Sequence, residues 1–405
     1  MRLGTKIFND PIYGIIEIPY GIIYQLIEHP FYQRLRRINQ LGFTQLVYPG
    51  ATHTRFAHAI GAMHLTQKAI RSLQHKGVQI TKEESEGLCI AILLHDIGHG
   101  PFSHCLEGNL VQIDHEDISL SFMESLNHIF EGKLSLAIQI FKNEYHKKFL
   151  HQLISGQLDM DRMDYLTRDS FFTGVLEGVI GYDRIIKMLN VHEGQLVLEY
   201  KGIYSIESFL ISRRLMYWQV YLHKTVVCAG EMTIKAIQRA RQLIQNGQQI
   251  QIAPGLLFFL KKTWTASDLQ ENTTEILNHF SQIDDIDILS ALKVFAQSED
   301  SILSFLGKSL IERRLFKVKF LPEPMSSAEK EKLEHQILQK FQIEAPDLHY
   351  LLIEGKEGNK TYTHGEKEIM IKLPNQEIKP LSEWSENNLK PQEVIKYFVC
   401  HPKLI

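Results

Sequence analysis

Apolar residues along the chain change their period at a few places, and those changes divide it. Residues 1–25 carry β-branched positions broken by Asn9-Asp10-Pro11 and Gly14, which predicts a short hairpin. From Ile22 to about Leu310 the apolar spacing is helical. A helix is expected after Pro30. Phe56, Ile60, Met63, Ile70 and Leu73 mark one face of the next, which stops at Gly77. Residues 83–97 are apolar almost all round at LCIAILL, which predicts a central buried helix. HEDISLSFMESLNHIF, LSLAIQIF and YHKKFLHQLIS read as amphipathic helices, and DMDRMDYLTRDSFF as another ending near Gly174. A small β excursion is expected around Lys201-Gly202, then a long helical region from Ser205 to Asn246 interrupted near Gly230. Thr265 or Ser267 reads as an N-cap, and further helices run to Arg314. Beyond it, FKVKFLPEP, HYLLIEGK, EIMIKLP and VIKYFVCHP read as strands around one helix, SSAEKEKLEHQILQKF. The expected fold is mainly α: a helical bundle over residues 1–315, opened by a β-hairpin, with a smaller α+β lobe over 316–405.

Composition narrows the class. Of 405 residues, 44% are hydrophobic and 22% charged, which excludes a disordered or collagenous chain. Lys and Arg total 44 against 47 Asp and Glu, a net charge of −3, so nucleic acid is at most a secondary partner. No apolar run approaches the roughly 20 residues that span a bilayer, so no membrane partner is expected. The start, MRLGTKIFND, lacks the layout of a signal peptide. Cys89, Cys105, Cys228 and Cys400 lie far apart with no CxxC pair, which fits a reducing, cytoplasmic location.

The chain holds 19 histidines, many of them between His53 and His151. The densest group is LLHDIGHGPFSH, with His95, Asp96, His99 and His104 at the end of the apolar helix, where Gly98 and Gly100 permit a tight turn. Adjacent His and Asp share no helical face, so they reach one metal only where the helix unwinds, or they serve two. Asp161, Asp164, Tyr165 and Arg168 fall within about 100° on their helix; such a charged stripe is by default a solvated face. Arg34, Arg36 and Arg37 also read best as a solvated face, the alternative being a nucleotide or subunit contact.

His58, His95-Asp96 and Asp161 form the pattern H…HD…D, which resembles the HD-domain metal-dependent phosphohydrolases. The match tightens with RLRRINQLGFTQLVYPGATHTRFAHAIGAMHL, HDIGHGPFSH, DHE at 114–116, DMDRMDYLTRD and YLHK at 221–224, in that order. Together they are similar to the deoxynucleoside triphosphate triphosphohydrolases, the group with the bacterial dGTP enzymes and the mammalian enzyme that joins a sterile-alpha-motif to an HD domain. The resemblance is strong over residues 1–230, weaker to about 320 and loose over the last 90.

The resemblance implies His58, His95, Asp96 and Asp161 as ligands of a divalent metal: Mn, Fe, Zn, Co, Ni or Mg. It implies Arg55 facing the phosphates, and His99, His104, Glu107 and His115 as acid/base residues beside the metal, with Glu116 orienting His115. Gln40 and Leu41 match positions at the sugar 3′-hydroxyl, and Tyr165 an aromatic on the deoxyribose where a 2′-hydroxyl would clash. Arg213, Tyr217, Tyr221, His223 and Lys224 match the segment lining the phosphate tail and base. As one continuous helix, Arg213, Tyr217, Tyr221 and Lys224 would form a stripe within about 80°. Arg162 stands where the mammalian enzyme has Lys, and Glu107 is shared with the bacterial enzymes. Without a sterile-alpha-motif before the HD pattern, the mammalian mode of nucleotide gating is not expected, and the need for an activator nucleotide stays open.

The expected activity is hydrolysis of a dNTP, dGTP included, to deoxynucleoside and inorganic triphosphate, by a homo-oligomer (dimer, tetramer or hexamer). Two alternatives stand beside it. One is an HD phosphohydrolase acting on a nucleoside monophosphate, a cyclic dinucleotide or (p)ppGpp. The other is a regulator that binds nucleotide or single-stranded nucleic acid without turnover.

Overall fold

A computed structural model describes residues 4–360, 368–384 and 393–404. The expected hairpin opens the chain as β1 (Thr5–Asp10) and β2 (Gly14–Pro19), antiparallel, with Asp10 opposite Gly14. Asp10 closes the turn: its Oδ1 accepts the N–H of Ile12 at 2.9 Å and of Tyr13 at 3.1 Å. Helices α1 (Ile22–Glu28) and α2 (Pro30–Gln33) lead into a 3₁₀ turn over Arg34–Arg37.

Of these arginines Arg36 and Arg37 are exposed, as expected, and Arg34 is not. Arg34 is fully buried and donates to the carbonyls of Ile97, His99 and Ile283. Arg36 lies over the Phe56 ring at 3.5 Å, and Arg37 pairs with Asp284. The Arg34 charge is spent inside the protein, holding the segment around His99 to its neighbours.

The bundle is built on α3 (Arg55–His75) and α4 (Lys82–Leu94). Thr54 caps α3 by accepting the N–H of Ala57, and Thr81 and Glu84 cap α4 reciprocally. Every α4 residue from Leu88 to Leu94 is buried, as its unbroken apolar run requires. Next come α5 (His115–Ile129), α6 (Ser135–Phe141), which packs on α4, and α7 (Lys148–Gln152). α8 (Met160–Thr173) packs on α3.

After α9 (Tyr182–Met188), strands β3 (Leu189–His192) and β4 (Gln195–Glu199) form a second hairpin. It turns at Glu193-Gly194, not at Lys201-Gly202 as expected, because both of those residues have positive φ and match a tight two-residue turn. α10 (Ile203–Met216) passes into a π-helical turn over Tyr217–Tyr221 and stops. α11 (Lys224–Gln245) starts afresh, with the His223 ring accepting the N–H of Thr225. The interruption therefore falls at residues 217–223; Gly230 lies inside α11.

Helices α12 (Pro254–Lys261), α13 (Ala266–Glu271), α14 (Thr273–Phe280), α15 (Asp285–Phe295) and α16 (Ser301–Ile311) follow, with Thr265 as the α13 cap. The last part holds β5 (Lys317–Leu321), α17 (Ser327–Phe341), β6 (Ile353–Lys360), β7 (Met370–Lys372), β8 (Ile378–Pro380) and β9 (Glu393–His401). β9 lies between β5 and β6, antiparallel to both. β7 pairs in parallel with β4, so strands from either side of residue 315 share one sheet, β3-β4-β7-β8. The fold is mainly α with a smaller α+β portion, as the periodicity implies. Among the described residues all four cysteines are free, and no helix is long and apolar enough to cross a membrane.

Candidate active site

Three helices deliver the H…HD…D pattern to one point. His58 lies one turn into α3, His95 and Asp96 just beyond α4 where the helix unwinds, and Asp161 in the first turn of α8. The Nε2 atoms of His58 and His95 lie 3.0 and 3.4 Å from Asp161 Oδ1. Asp96 closes the group, 3.6 Å from His58 Nε2 and 3.3 Å from His95 Nε2. His95 Nδ1 is hydrogen-bonded to the Ile92 carbonyl at 2.6 Å and His58 Nδ1 to Asp164 Oδ2 at 2.8 Å. Each buried Nε2 is thereby left turned toward the carboxylates of Asp161 and Asp96.

Two such nitrogens facing two carboxylates fit a divalent transition metal, and their chemistry demands positive charge. Burial lowers the basicity of His58, yet the hydrogen bonds to Asp161 and Asp164 outweigh it and push the imidazole up to about 10. Burial works against ionised Asp161 as well, but the hydrogen bonds from His58 and His95 hold its carboxyl well below the usual range. A bound cation answers the same demand and displaces the proton.

The stripe on α8 is not solvated. Asp164 and Arg168 are fully buried, and Arg168 grips both carboxylate oxygens of Asp164, Nε at 2.9 Å and Nη2 at 3.0 Å. The pair sits where Gly61 has no side chain: a Cβ there would lie 2.0 Å from Asp164 Oδ1 and 2.3 Å from Arg168 Nη2. Sequence reasoning saw these residues on one face and misassigned their surroundings. Gly98 likewise serves close approach: a Cβ there would meet the His115 carbonyl at 2.2 Å and the Ser119 nitrogen at 2.4 Å.

A cavity of about 730 Å³ opens onto this centre. Asp96 and Asp161 form part of its wall, with Gln40, Leu41, Arg55, Arg162, Tyr165, Tyr217 and Tyr221. Arg55 donates to Asp96 and, at 2.7 Å from Nε, to Ser103. Arg162 pairs with Asp159 at 2.5 Å. His99, Glu107 and His115 line the wall beside the metal residues, and the His99 and His115 rings stack at 4.0 Å.

Glu107, not Glu116, meets the His115 imidazole; Glu116 is exposed on the first turn of α5. Burial alone would lower His115, but the hydrogen bond and charge of Glu107 prevail and raise it. The His104 side chain lies outside the described residues.

The break after α10 disperses the expected basic stripe. Tyr217 and Tyr221 face the cavity, Arg213 sits behind Tyr217 with its guanidinium 5.8 Å from the ring, and His223 caps α11. Lys224 is exposed, and Arg213, His223 and Lys224 are all absent from the cavity wall. Sequence reasoning also missed Asp169, which lines the cavity and is held by Tyr221, donating at 2.7 Å, and by buried His53, 2.7 Å away. The wall also includes Val226, Gly230 and Glu231 of α11 and Glu357 and Gly358 of β6.

Fold and donor set together define an HD-domain phosphohydrolase. The HD domain family model matches residues 55–169, and that of an HD-associated region matches residues 180–252. A solved phosphohydrolase from Bacteroides thetaiotaomicron is 48% identical with a TM-score of 0.94, covering 98% of this chain and 100% of its own. The uncharacterized protein YwfO of Bacillus subtilis is 34% identical over 332 residues, 80% of this chain and 74% of that protein. The deoxynucleoside triphosphate triphosphohydrolase SAMHD1 homolog of Dictyostelium discoideum is 30% identical over 270 residues, 62% of this chain and 52% of that protein. The chain belongs to the HD-domain phosphohydrolase family.

Proposed function

We propose that this protein cleaves deoxynucleoside triphosphates, dGTP among them, into deoxynucleoside and inorganic triphosphate. The observation that carries the reading is a nucleotide-sized cavity that brings Tyr165 and Gln40, suited to a sugar, onto Asp96, Asp161 and the His115–Glu107 pair. The name of the Dictyostelium relative supports it.

His58, His95, Asp96 and Asp161 would hold the divalent cation, from among Mn, Fe, Zn, Co, Ni and Mg. Such a cation supplies Lewis-acid polarisation of a phosphoryl group and lowers the pKa of water. Arg55, fixed by Asp96 and Ser103, keeps the rest of its fork for a phosphate oxygen, and Arg162 adds a second cationic contact. Water attacks the α-phosphorus and the bond to the 5′-oxygen breaks. Glu107 holds Nδ1 of His115, so Nε2 carries the proton that this alkoxide takes up. The Gln40 Oε1, buried without a hydrogen-bond partner, suits a donor such as the 3′-hydroxyl, with Leu41 beside it. Tyr165 would pack on the deoxyribose and exclude a 2′-hydroxyl.

One observation favours a second reading. Lys224, His223 and Arg213 stand outside the cavity wall, which carries six carboxylates (Asp96, Glu107, Asp161, Asp169, Glu231 and Glu357) against the guanidinium groups of Arg55 and Arg162. That balance suits a substrate with fewer phosphates, such as a nucleoside monophosphate.

Product analysis separates the two. Metal-loaded protein is incubated with each dNTP, GTP and a dNMP, alone and mixed, and products are resolved by ion exchange. Intact triphosphate from dNTPs but not from GTP is the expected result. Orthophosphate from the dNMP alone would replace the first reading with the second. Faster turnover in mixtures would reveal an activator nucleotide, and light scattering would read the homo-oligomer that the resemblance implies.

A further inference from the structure

The metal residues are tied to the first hairpin of the chain by an unbroken line of buried charge. It starts at His58, whose Nδ1 meets Asp164 Oδ2 at 2.8 Å. Asp164 is held by Arg168 through two hydrogen bonds, at 2.9 and 3.0 Å. The remaining Nη1 of Arg168 reaches Asp10 Oδ2 at 2.8 Å. The side chains of His58, Asp164 and Arg168 are 0% exposed and that of Asp10 is 8%. No water competes for these bonds, so each group depends on the next for its orientation.

Asp10 is the far anchor, and it has two tasks. One oxygen takes Arg168, while the other accepts the two N–H groups that close the β1–β2 turn. The turn also supplies Tyr13, whose ring lies 5.6 Å from the Arg168 guanidinium and 5.3 Å from the His64 ring. Gly61, on α3 beside His58, leaves the space through which Asp164 and Arg168 pass. A folded hairpin therefore fixes Arg168, Arg168 fixes Asp164, and Asp164 sets both the tautomer and the direction of the His58 ring.

We propose that Asp10 and Arg168 are positioning residues for the metal ligand His58, so that closure of the N-terminal hairpin sets how tightly the cation is held. The inference rests on the metal reading above and not on which nucleotide is cleaved. A carboxylate bonded directly to a ligand histidine contributes about 10- to 100-fold in metal affinity. Asp10 acts two bonds further out and should contribute less.

The test is metal affinity of the full chain, measured by chelator competition with Mn²⁺ and by the visible absorption of the Co²⁺ form. Asp10→Asn keeps an oxygen for the turn but loses the charge facing Arg168. It should weaken metal binding roughly 3- to 10-fold and alter the Co²⁺ spectrum. Ile18→Val, a buried residue near the open end of the same hairpin, controls for stability. It should lower the thermal midpoint and leave metal affinity and spectrum unchanged. Wild-type affinity and spectrum in Asp10→Asn would overturn the proposal while leaving the metal reading intact. An equal loss of affinity in Ile18→Val would overturn it too, because the effect would then be general loosening. Wild-type protein that binds neither cation would end both the metal reading and this inference.

Discussion

Nδ1 of His115 is hydrogen-bonded to Oε1 of Glu107, the residue immediately before the Gly108 turn that leads toward α5. The bond raises the imidazole from its ordinary 6.5 against the effect of burial, so His115 stays protonated to higher pH. A proton donor is active below its pKa and fails as pH rises through it. The alkaline limb of the kcat profile should therefore belong to His115. Glu107→Gln should move that limb to lower pH, and Glu116→Gln should leave it in place. Coincident profiles for wild type and Glu107→Gln would remove His115 from the role.

Proton donation and metal binding should separate by mutation. His115→Ala should lose about 10²- to 10⁴-fold in turnover with metal content retained. Asp161→Ala removes the carboxylate that approaches both ligand imidazoles and should lose metal and activity together. Metal analysis beside single-turnover kinetics distinguishes them.

The two candidate phosphate contacts differ in kind. Arg162 lies on the cavity wall and Lys224 is exposed beyond it. Arg162→Ala should raise KM about tenfold or more, the scale of a lost charge-assisted hydrogen bond. Lys224→Ala should leave KM within about twofold, the scale of a surface substitution. Steady-state kinetics on both variants decide whether the cavity closes further around substrate.

Gly61→Ala places a methyl group inside the Asp164–Arg168 pair. Overpacking of this kind costs about 1–3 kcal/mol and sometimes more. The expected outcome is a lower thermal midpoint together with weaker metal binding, since Asp164 is pushed from His58. A variant as stable and as metal-avid as wild type would contradict the packing described.

The sequence was most legible where one period governed a long segment. The run LCIAILL had to be buried, and the placement of His95-Asp96 at its end followed. The HD pattern itself led to four residues that do converge. Three features were not legible, each for a physical reason. Asp164 and Arg168 look like surface charges until Gly61 and Asp10 are seen to admit and neutralise them. Arg34 looks like part of a basic cluster until three carbonyls from distant segments claim it. The Arg213-to-Lys224 stripe assumed an unbroken helix, and a π-helical turn changes the phase of every residue beyond it. In the first two cases the deciding partner lies far away in the chain, where spacing rules do not reach.

The contribution of β6 to the cavity has a consequence in time. A chain leaving the ribosome exposes His58, His95, Asp96 and Asp161 long before Glu357 and Gly358. At ordinary elongation rates of about 5–20 residues per second, the interval is roughly ten to forty seconds. During it the nascent protein holds every cation donor but only part of the wall that encloses a substrate. Selectivity that depends on that wall can therefore arise only once β6 has been made and packed.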